Sequence, residues 1–314
     1  MSTSHGVFWS IGELAERAGV TVKSVRFYSD RGLLPEASRS GGGHRRYAPE
    51  ALEQLRLIRS LRALDLPLPE VRRVLEDGDA AGRVLEDAVA GRLRELGSEL
   101  KTLRWREAAL RLVRECPPAE RADRLRLLGA VSTPPSTAPL ARFWRAWLPP
   151  RMPAPATAAF LEVAVPQPPD EPDPAQVLAF ARLHAMTTAP CPDGRQPQPE
   201  VHRVTGARGA AALYAGLAEA YEIAGPQLRR ARSPYPGEAL DAYVAAYASA
   251  YGGRDTRGFR RLLAARLATE PRLSRYWELT AVVLTPPGGP PEPTPGSADD
   301  WLRAALERDN AEAA

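Results

Sequence analysis

Residues 10–58 read SIGELAERAGVTVKSVRFYSDRGLLPEASRSGGGHRRYAPEALEQLRLI, and this stretch decides the fold of the front of the chain. Ser10 followed by Glu13 has the spacing of a capping box, which satisfies two orphan donors at a helix start. Ile11, Leu14, Ala15 and Ala18 then form one apolar face, and Gly19 ends the helix. Thr21 caps a second helix, with Val22, Val25 and Phe27 read as facing inward, Lys23, Ser24 and Arg26 outward, and Gly32 as its stop. A short helix, a tight turn and a second helix with basic and hydroxyl groups near its N-terminus form a helix-turn-helix plan. Any small helical hairpin shares that pattern, so the next segment matters. Residues 36–47 predict a hairpin: Gly41, Gly42 and Gly43 permit the turn, and His44, Arg45, Arg46 and Tyr47 form the return. A glycine tip carrying two arginines and a tyrosine suits a wing on a phosphate backbone, because glycine allows close approach and arginine gives charge-assisted contacts. Helices are predicted over 50–64, after Pro49, and from Pro69 to about Asp77.

Further along, Val89, Leu93, Leu96, Leu100, Leu103 and Leu110 alternate steps of four and three, with Glu107 as the one exception. That is a coiled-coil seam. The helix carrying it, residues 82–114, is about 50 Å long at 1.5 Å per residue, too long for so small a domain to cover.

The order of these motifs resembles the winged-helix DNA-binding domain of the MerR family of transcriptional regulators. The likeness rests on IGELAERAGV in the first helix, VRFY-x-x-x-GLL in the second and GHRRY in the wing, and covers residues 9–115. It departs in two places: Phe27 and Tyr28 leave one hydroxyl where the family has two aromatics, and His44 stands where an aromatic is usual. The resemblance implies Thr21, Lys23 and Ser24 at base edges or adjacent phosphates, and Arg26, Tyr28, Arg45, Arg46 and Tyr47 on the phosphate backbone. It also implies an antiparallel coiled-coil homodimer that binds a palindromic promoter and bends and untwists the spacer so that RNA polymerase can engage.

Composition bounds the rest. The chain has 314 residues, room for two domains, and a net charge of +4. Seven basic residues against four acidic fall within residues 1–48, so the positive excess lies where an anionic partner would sit. No apolar run approaches the ~20 residues of a membrane span, and the N-terminus lacks the features of a signal peptide, so no membrane partner and a cytoplasmic location are expected. Cys116 and Cys191 are the two cysteines, without a Cys/His cluster nearby, and no metal site is expected because a soft metal wants converging thiolates. With no Gly-rich phosphate loop, HExxH or nucleophile elbow, no cofactor and no catalytic residue are expected, which argues against an enzyme fused to a DNA-binding head.

Only four of the 32 prolines precede residue 116. Beyond it, helices are predicted over 175–187, 209–224, 238–251, 256–269, 273–284 and 298–308, with proline-rich loops at 131–140, 149–174, 189–199 and 285–295. Phe160–Val165 is the one strand-like run. The expected architecture is mainly α: a winged helix-turn-helix with a small β wing over 1–80, a dimerisation helix over 81–116, a linker over 117–140, and a mostly helical effector-binding domain over 141–314. Tyr243, Tyr247 and Tyr251 fall at i, i+4 and i+8 and either line a pocket for a small organic effector or form a tyrosine-rich core. Trp144 and Trp147, beside Phe143, either face such a pocket or pack back on the front domain. The alternative to a ligand-responsive regulator is an effector-independent, excisionase-like DNA-bending protein, against which the long back half argues.

Overall fold

The computed structural model describes residues 8–76, 81–189, 199–269 and 273–312. Cys191 lies outside them. The chain divides into two compact units, residues 1–99 and 100–314. It is mainly helical, and among the described residues no helix is long and apolar enough to cross a membrane.

Unit 1 begins with β1 (Trp9–Ser10), α1 (Ile11–Ala18) and α2 (Val22–Asp30). Ser10 caps α1: its Oγ accepts from the Glu13 amide at 3.2 Å, while the Glu13 carboxylate accepts from the Ser10 amide at 2.7 Å. The Ser10 amide and hydroxyl together hold the Glu13 carboxyl below the usual carboxylate range. Thr21 caps α2 through the Ser24 amide at 3.1 Å. The wing is β2 (Ser38–Arg39) and β3 (Arg45–Tyr47), turned at Gly43, whose φ of +78° is a conformation glycine adopts without a Cβ clash. The sheet has the order β1-β3-β2, all antiparallel, with Trp9 opposite Tyr47 and Ser38 opposite Arg46. The third strand was not legible in the hairpin pattern, because two residues are too short to show a period.

α3 (Glu50–Ala63) and α4 (Leu68–Glu76) follow. Leu14, Val25, Leu34, Tyr47 and Leu55 form one small core. Leu33, Ile58, Leu61, Leu66 and Val71 form a second, to which Ala88 of α5 (Ala81–Glu115) is added. At ~25 cal/mol per Å² of apolar surface, burying the leucines alone outweighs any cap.

Unit 2 contains the end of α5, then α6 (Arg121–Gly129), α7 (Ala138–Trp147), α8 (Ala154–Ala164), α9 (Pro174–Thr188), α10 (Glu200–Arg229), α11 (Glu238–Ala250), α12 (Arg257–Thr269), α13 (Ser274–Leu284) and α14 (Pro295–Glu312). α10 kinks at Gly206. One core joins α10, α11, α12 and α14 around Leu213, Leu240, Tyr243, Val244 and Leu302. The other joins α5, α7, α9 and α13 around Trp105, Phe143, Trp144, Phe180 and Tyr276. Polar side chains close the helix ends that these cores bury. Gln176 Nε2 donates to the carbonyls of Val283 and Thr285 at 3.1 and 2.9 Å, and the Tyr276 hydroxyl donates to Ala164 O at 2.6 Å. Both satisfy carbonyls a helix terminus leaves open.

Two expectations are corrected here. Phe160–Val165 is not a strand: residues 154–164 are helical, because Pro155 sits in the first turn, where proline fits, and the alanines that follow favour helix. Residues 117–140, expected as a linker, hold a 3-10 turn at Pro118–Glu120 and α6.

Candidate nucleic-acid interface and effector cavity

α2 shows how few side chains a nine-residue helix needs to bury. Val25 is its one fully buried residue, with Tyr28 packed at the edge of the same core. At 100° per residue Phe27 points some 200° away from Val25, and it is 41% exposed, as Val22 is 39% exposed, so neither faces inward as the sequence reading had it. The outer face therefore carries Lys23, Arg26 and Phe27, with the Arg31 guanidinium 4.4 Å above the Phe27 ring. At the N-terminus of α2 the Thr21 and Ser24 hydroxyls lie 2.9 Å apart.

The wing residues separate into two groups. Tyr47 is fully buried and its hydroxyl donates to Ser29 Oγ at 3.1 Å, so it anchors the wing to α2 and cannot reach a phosphate. Arg45 is held between two carboxylates, with Nη1 2.6 Å from Asp30 and Nε 2.7 Å from Glu36. Arg39 also pairs with Glu36, at 3.1 Å. Arg46 is half-buried beside them, and His44 is exposed at the tip. The acidic partners of Arg45 were in plain view in the sequence, 15 and nine residues away, but nothing local links them.

On α5 the predicted seam faces solvent. Leu93, Leu103 and Leu110 are 64%, 57% and 72% exposed, Leu96 and Leu100 are also exposed, and Val89 is half-buried. The other face of the same helix is buried: Trp105, Ala108 and Leu112 enter the core of unit 2, and Trp105 Nε1 donates to Pro169 O at 3.0 Å.

The tyrosines of α11 do not act together. Tyr243 is fully buried, its hydroxyl donating to Asp299 at 2.7 Å; Tyr247 reaches a cavity wall; Tyr251 packs on Phe259, under the Arg266 guanidinium. The cavity has a volume of about 680 Å³ and is lined from six helices, by Trp144 and Trp147 (α7), Phe160 (α8), Tyr214 and Tyr221 (α10), Tyr247 (α11), Trp277 (α13) and Gly296 and Asp299 (α14). Trp144 is the hub, 5.2 Å from Phe160, 5.0 Å from Tyr276 and 5.3 Å from Trp277 between ring centroids. Trp277 can lie there because position 296 is glycine; a Cβ would stand 2.1 Å from the indole. Beneath, Asp299 also accepts from the Tyr221 hydroxyl at 3.2 Å and from Arg303 Nε at 2.5 Å. Burial, then the Asp299 charge, pushes the Tyr221 and Tyr243 hydroxyls far above their ordinary pKa. His202, at the wall behind Tyr214, has Nε2 2.6 Å from that hydroxyl, and burial pulls its pKa down to about 4. Trp144, Phe160, Tyr214 and Trp277 were not singled out as a set by the sequence, since no spacing marks residues 133 positions apart as neighbours.

Residues 9–78 match the family model described as MerR HTH family regulatory protein. The HTH-type transcriptional regulator HmrR of Rhizobium leguminosarum bv. viciae is 34% identical over 119 residues, which cover 36% of this chain and 91% of HmrR. The chain belongs to the MerR family. Nodulation protein NolA of Bradyrhizobium elkanii is 46% identical over 68 residues, 22% of this chain, and the chain spans 31% of NolA's length. Among solved structures, PbrR691 from Ralstonia metallidurans CH34 in complex with lead(II) is 36% identical, covering 35% of this chain and 89% of that one, with a TM-score of 0.31. The MerR-family match runs from β1 through α4, and every cavity residue lies beyond it.

Proposed function

We propose that this chain is a promoter-binding transcription regulator that works as a homodimer and answers to a small organic effector held in unit 2. The outer face of α2 carries the reading. A capped helix presents Lys23 and Arg26, neither ion-paired among the described residues, beside a glycine-tipped wing, the combination that positions a protein on a duplex. Thr21, Lys23 and Ser24 meet base edges or adjacent phosphates; Arg26, Tyr28 and Arg46 meet the backbone; Arg45 sets the angle of the wing. The exposed stripe Leu93, Leu96, Leu100, Leu103 and Leu110, with Val89 at its edge, closes against its copy in a second chain. A twofold pair of recognition helices then fits a palindrome, and the dimer bends and untwists the promoter spacer for RNA polymerase, a use of deformability rather than base contact.

The test is fluorescence-anisotropy titration of DNA upstream of the chain's own gene, alongside sedimentation. Leu96→Glu with Leu100→Glu is expected to give a monomer whose affinity for the palindrome falls about 10²-fold or more, the gain that two linked sites provide. A variant that still sediments as a dimer and binds like wild type would refute the seam.

A further inference from the structure

The wall of the unit 2 cavity has two zones of different chemistry. The inner zone is rings: Phe160 stands 4.9 Å from Tyr214 and 5.2 Å from Trp144, and Trp277 lies 5.3 Å from Trp144 between centroids. Flat aromatic faces around a roomy space accept a flat apolar body, and their negative π-clouds attract positive charge. The outer zone is acidic. Glu162 of α8 and Glu222 of α10 both line the cavity and both are exposed, which places them at its mouth, and neither has an ion-pair partner among the described residues.

Of the remaining charges in the lining, Asp300 is exposed and already has an interaction within the protein, and the others are paired. Asp299 accepts from Tyr221, Tyr243 and Arg303 at once, which takes up three of the roughly four acceptor sites of a carboxylate, and its charge and that of Arg303 cancel. Arg229, at the rim, is matched by Glu292 at 3.6 Å. An anion would meet two unpaired carboxylates at the entrance, and a neutral ligand would gain nothing from them.

We propose that the cavity takes a flat polycyclic organic cation, its rings against Trp144, Phe160 and Trp277 and its charge beside Glu162 and Glu222. This assignment rests on unit 2 being the effector-binding part of the chain. It specifies the ligand by shape and sign, and it makes Glu162 and Glu222 selectivity residues that leave the fold untouched, since both side chains stand in solvent.

One ring system in three charge states tests it. The full chain is titrated with 10-methylacridinium, acridine and acridine-9-carboxylate at mildly alkaline pH, followed by calorimetry and by dye fluorescence. The cation is expected to bind about tenfold tighter than neutral acridine, within the range of desolvated cation–π and carboxylate contacts, and the anion more weakly than either. Glu162→Gln with Glu222→Gln should reduce the cation's preference to about twofold or less, with acridine affinity and Tm unchanged. Ala218→Trp, which fills the cavity from its wall, should abolish all binding. Equal binding of the cation and acridine, or a preference that survives the double variant, overturns the charge assignment while leaving an apolar effector site standing. Binding that survives Ala218→Trp overturns the location. Failure of all three dyes to bind overturns both this proposal and the effector reading of unit 2, and the DNA titrations of the wild-type chain report separately on unit 1.

Discussion

The two units handle function and stability in opposite ways. In unit 1 the core is Leu14, Val25, Leu34, Leu55 and Tyr47, while Lys23, Arg26 and Phe27 stand outside it. Lys23 and Arg26, both proposed to touch DNA, could be exchanged without opening that core, and of the α2 residues proposed to touch DNA Tyr28 is the one packed against it. In unit 2 the wall of the cavity is the core: Trp144 and Tyr247 are buried residues of the two main clusters and also line the empty space. A chain can therefore drift in operator preference at little cost in stability, but a change in its effector pocket is a change in its packing.

The largest effect expected from pressing on this difference lies at Asp299. Asp299→Ala leaves Arg303, 9% exposed, as a buried charge without its carboxylate, a change that costs about 3 to 5 kcal/mol. Chemical denaturation should show unit 2 unfolding early while operator-binding unit 1 keeps its own transition, and Asp299→Leu with Arg303→Met should recover most of the loss. A cost below ~1 kcal/mol would mean that water reaches the network and that the wall is not core.

His202 gives a smaller effect, set by pH. Its buried imidazole stays neutral down to about 4, whereas in the unfolded chain it takes up a proton near 6.5. Stability is full above the unfolded value and is lost as pH falls from there toward 4, by up to about 3 kcal/mol at 1.36 kcal/mol per unit. Burial and the Arg142 charge lower the pKa of His184, adding loss of the same sign. Unit 2 should melt earlier at mildly acidic pH, and His202→Gln should flatten that dependence. An identical slope in wild type and variant would place the titration elsewhere.

The smallest effect is in unit 1. Lys23→Ala should weaken binding evenly across DNA sequences and lower the salt slope by roughly one. Arg45→Ala should weaken binding with a nearly unchanged slope, because its guanidinium is matched by Asp30 and Glu36. A full unit of slope lost at Arg45 would put that residue on phosphate after all.

How much of this the sequence showed follows from the same contrast. α1, α2 and the wing are specified by signals within a few residues of one another: Ser10 with Glu13, Thr21 with Ser24, and three glycines before two arginines. The leucine period on α5 was equally local, and those leucines are exposed. The cavity is assembled from α7, α8, α10, α11, α13 and α14, and no spacing rule joins Trp144 to Trp277. The tyrosine period on α11 was real, yet period alone does not tell a wall from a floor; Tyr243 went to Asp299, Tyr247 to the cavity and Tyr251 to Arg266. α8 was missed because prolines on both sides masked the alanine-rich stretch between them.

Position 296 has a consequence of its own. A methyl group added there would collide with the indole of Trp277 at 2.1 Å, and both residues belong to the cavity lining. The indole would have to swing, so a one-carbon change in a helix's first turn would reshape the bore of the cavity without replacing any ring that faces it. Position 296 is thus an adjustment screw, by which descendants of this chain could resize what they accept while keeping the aromatic surface that does the accepting.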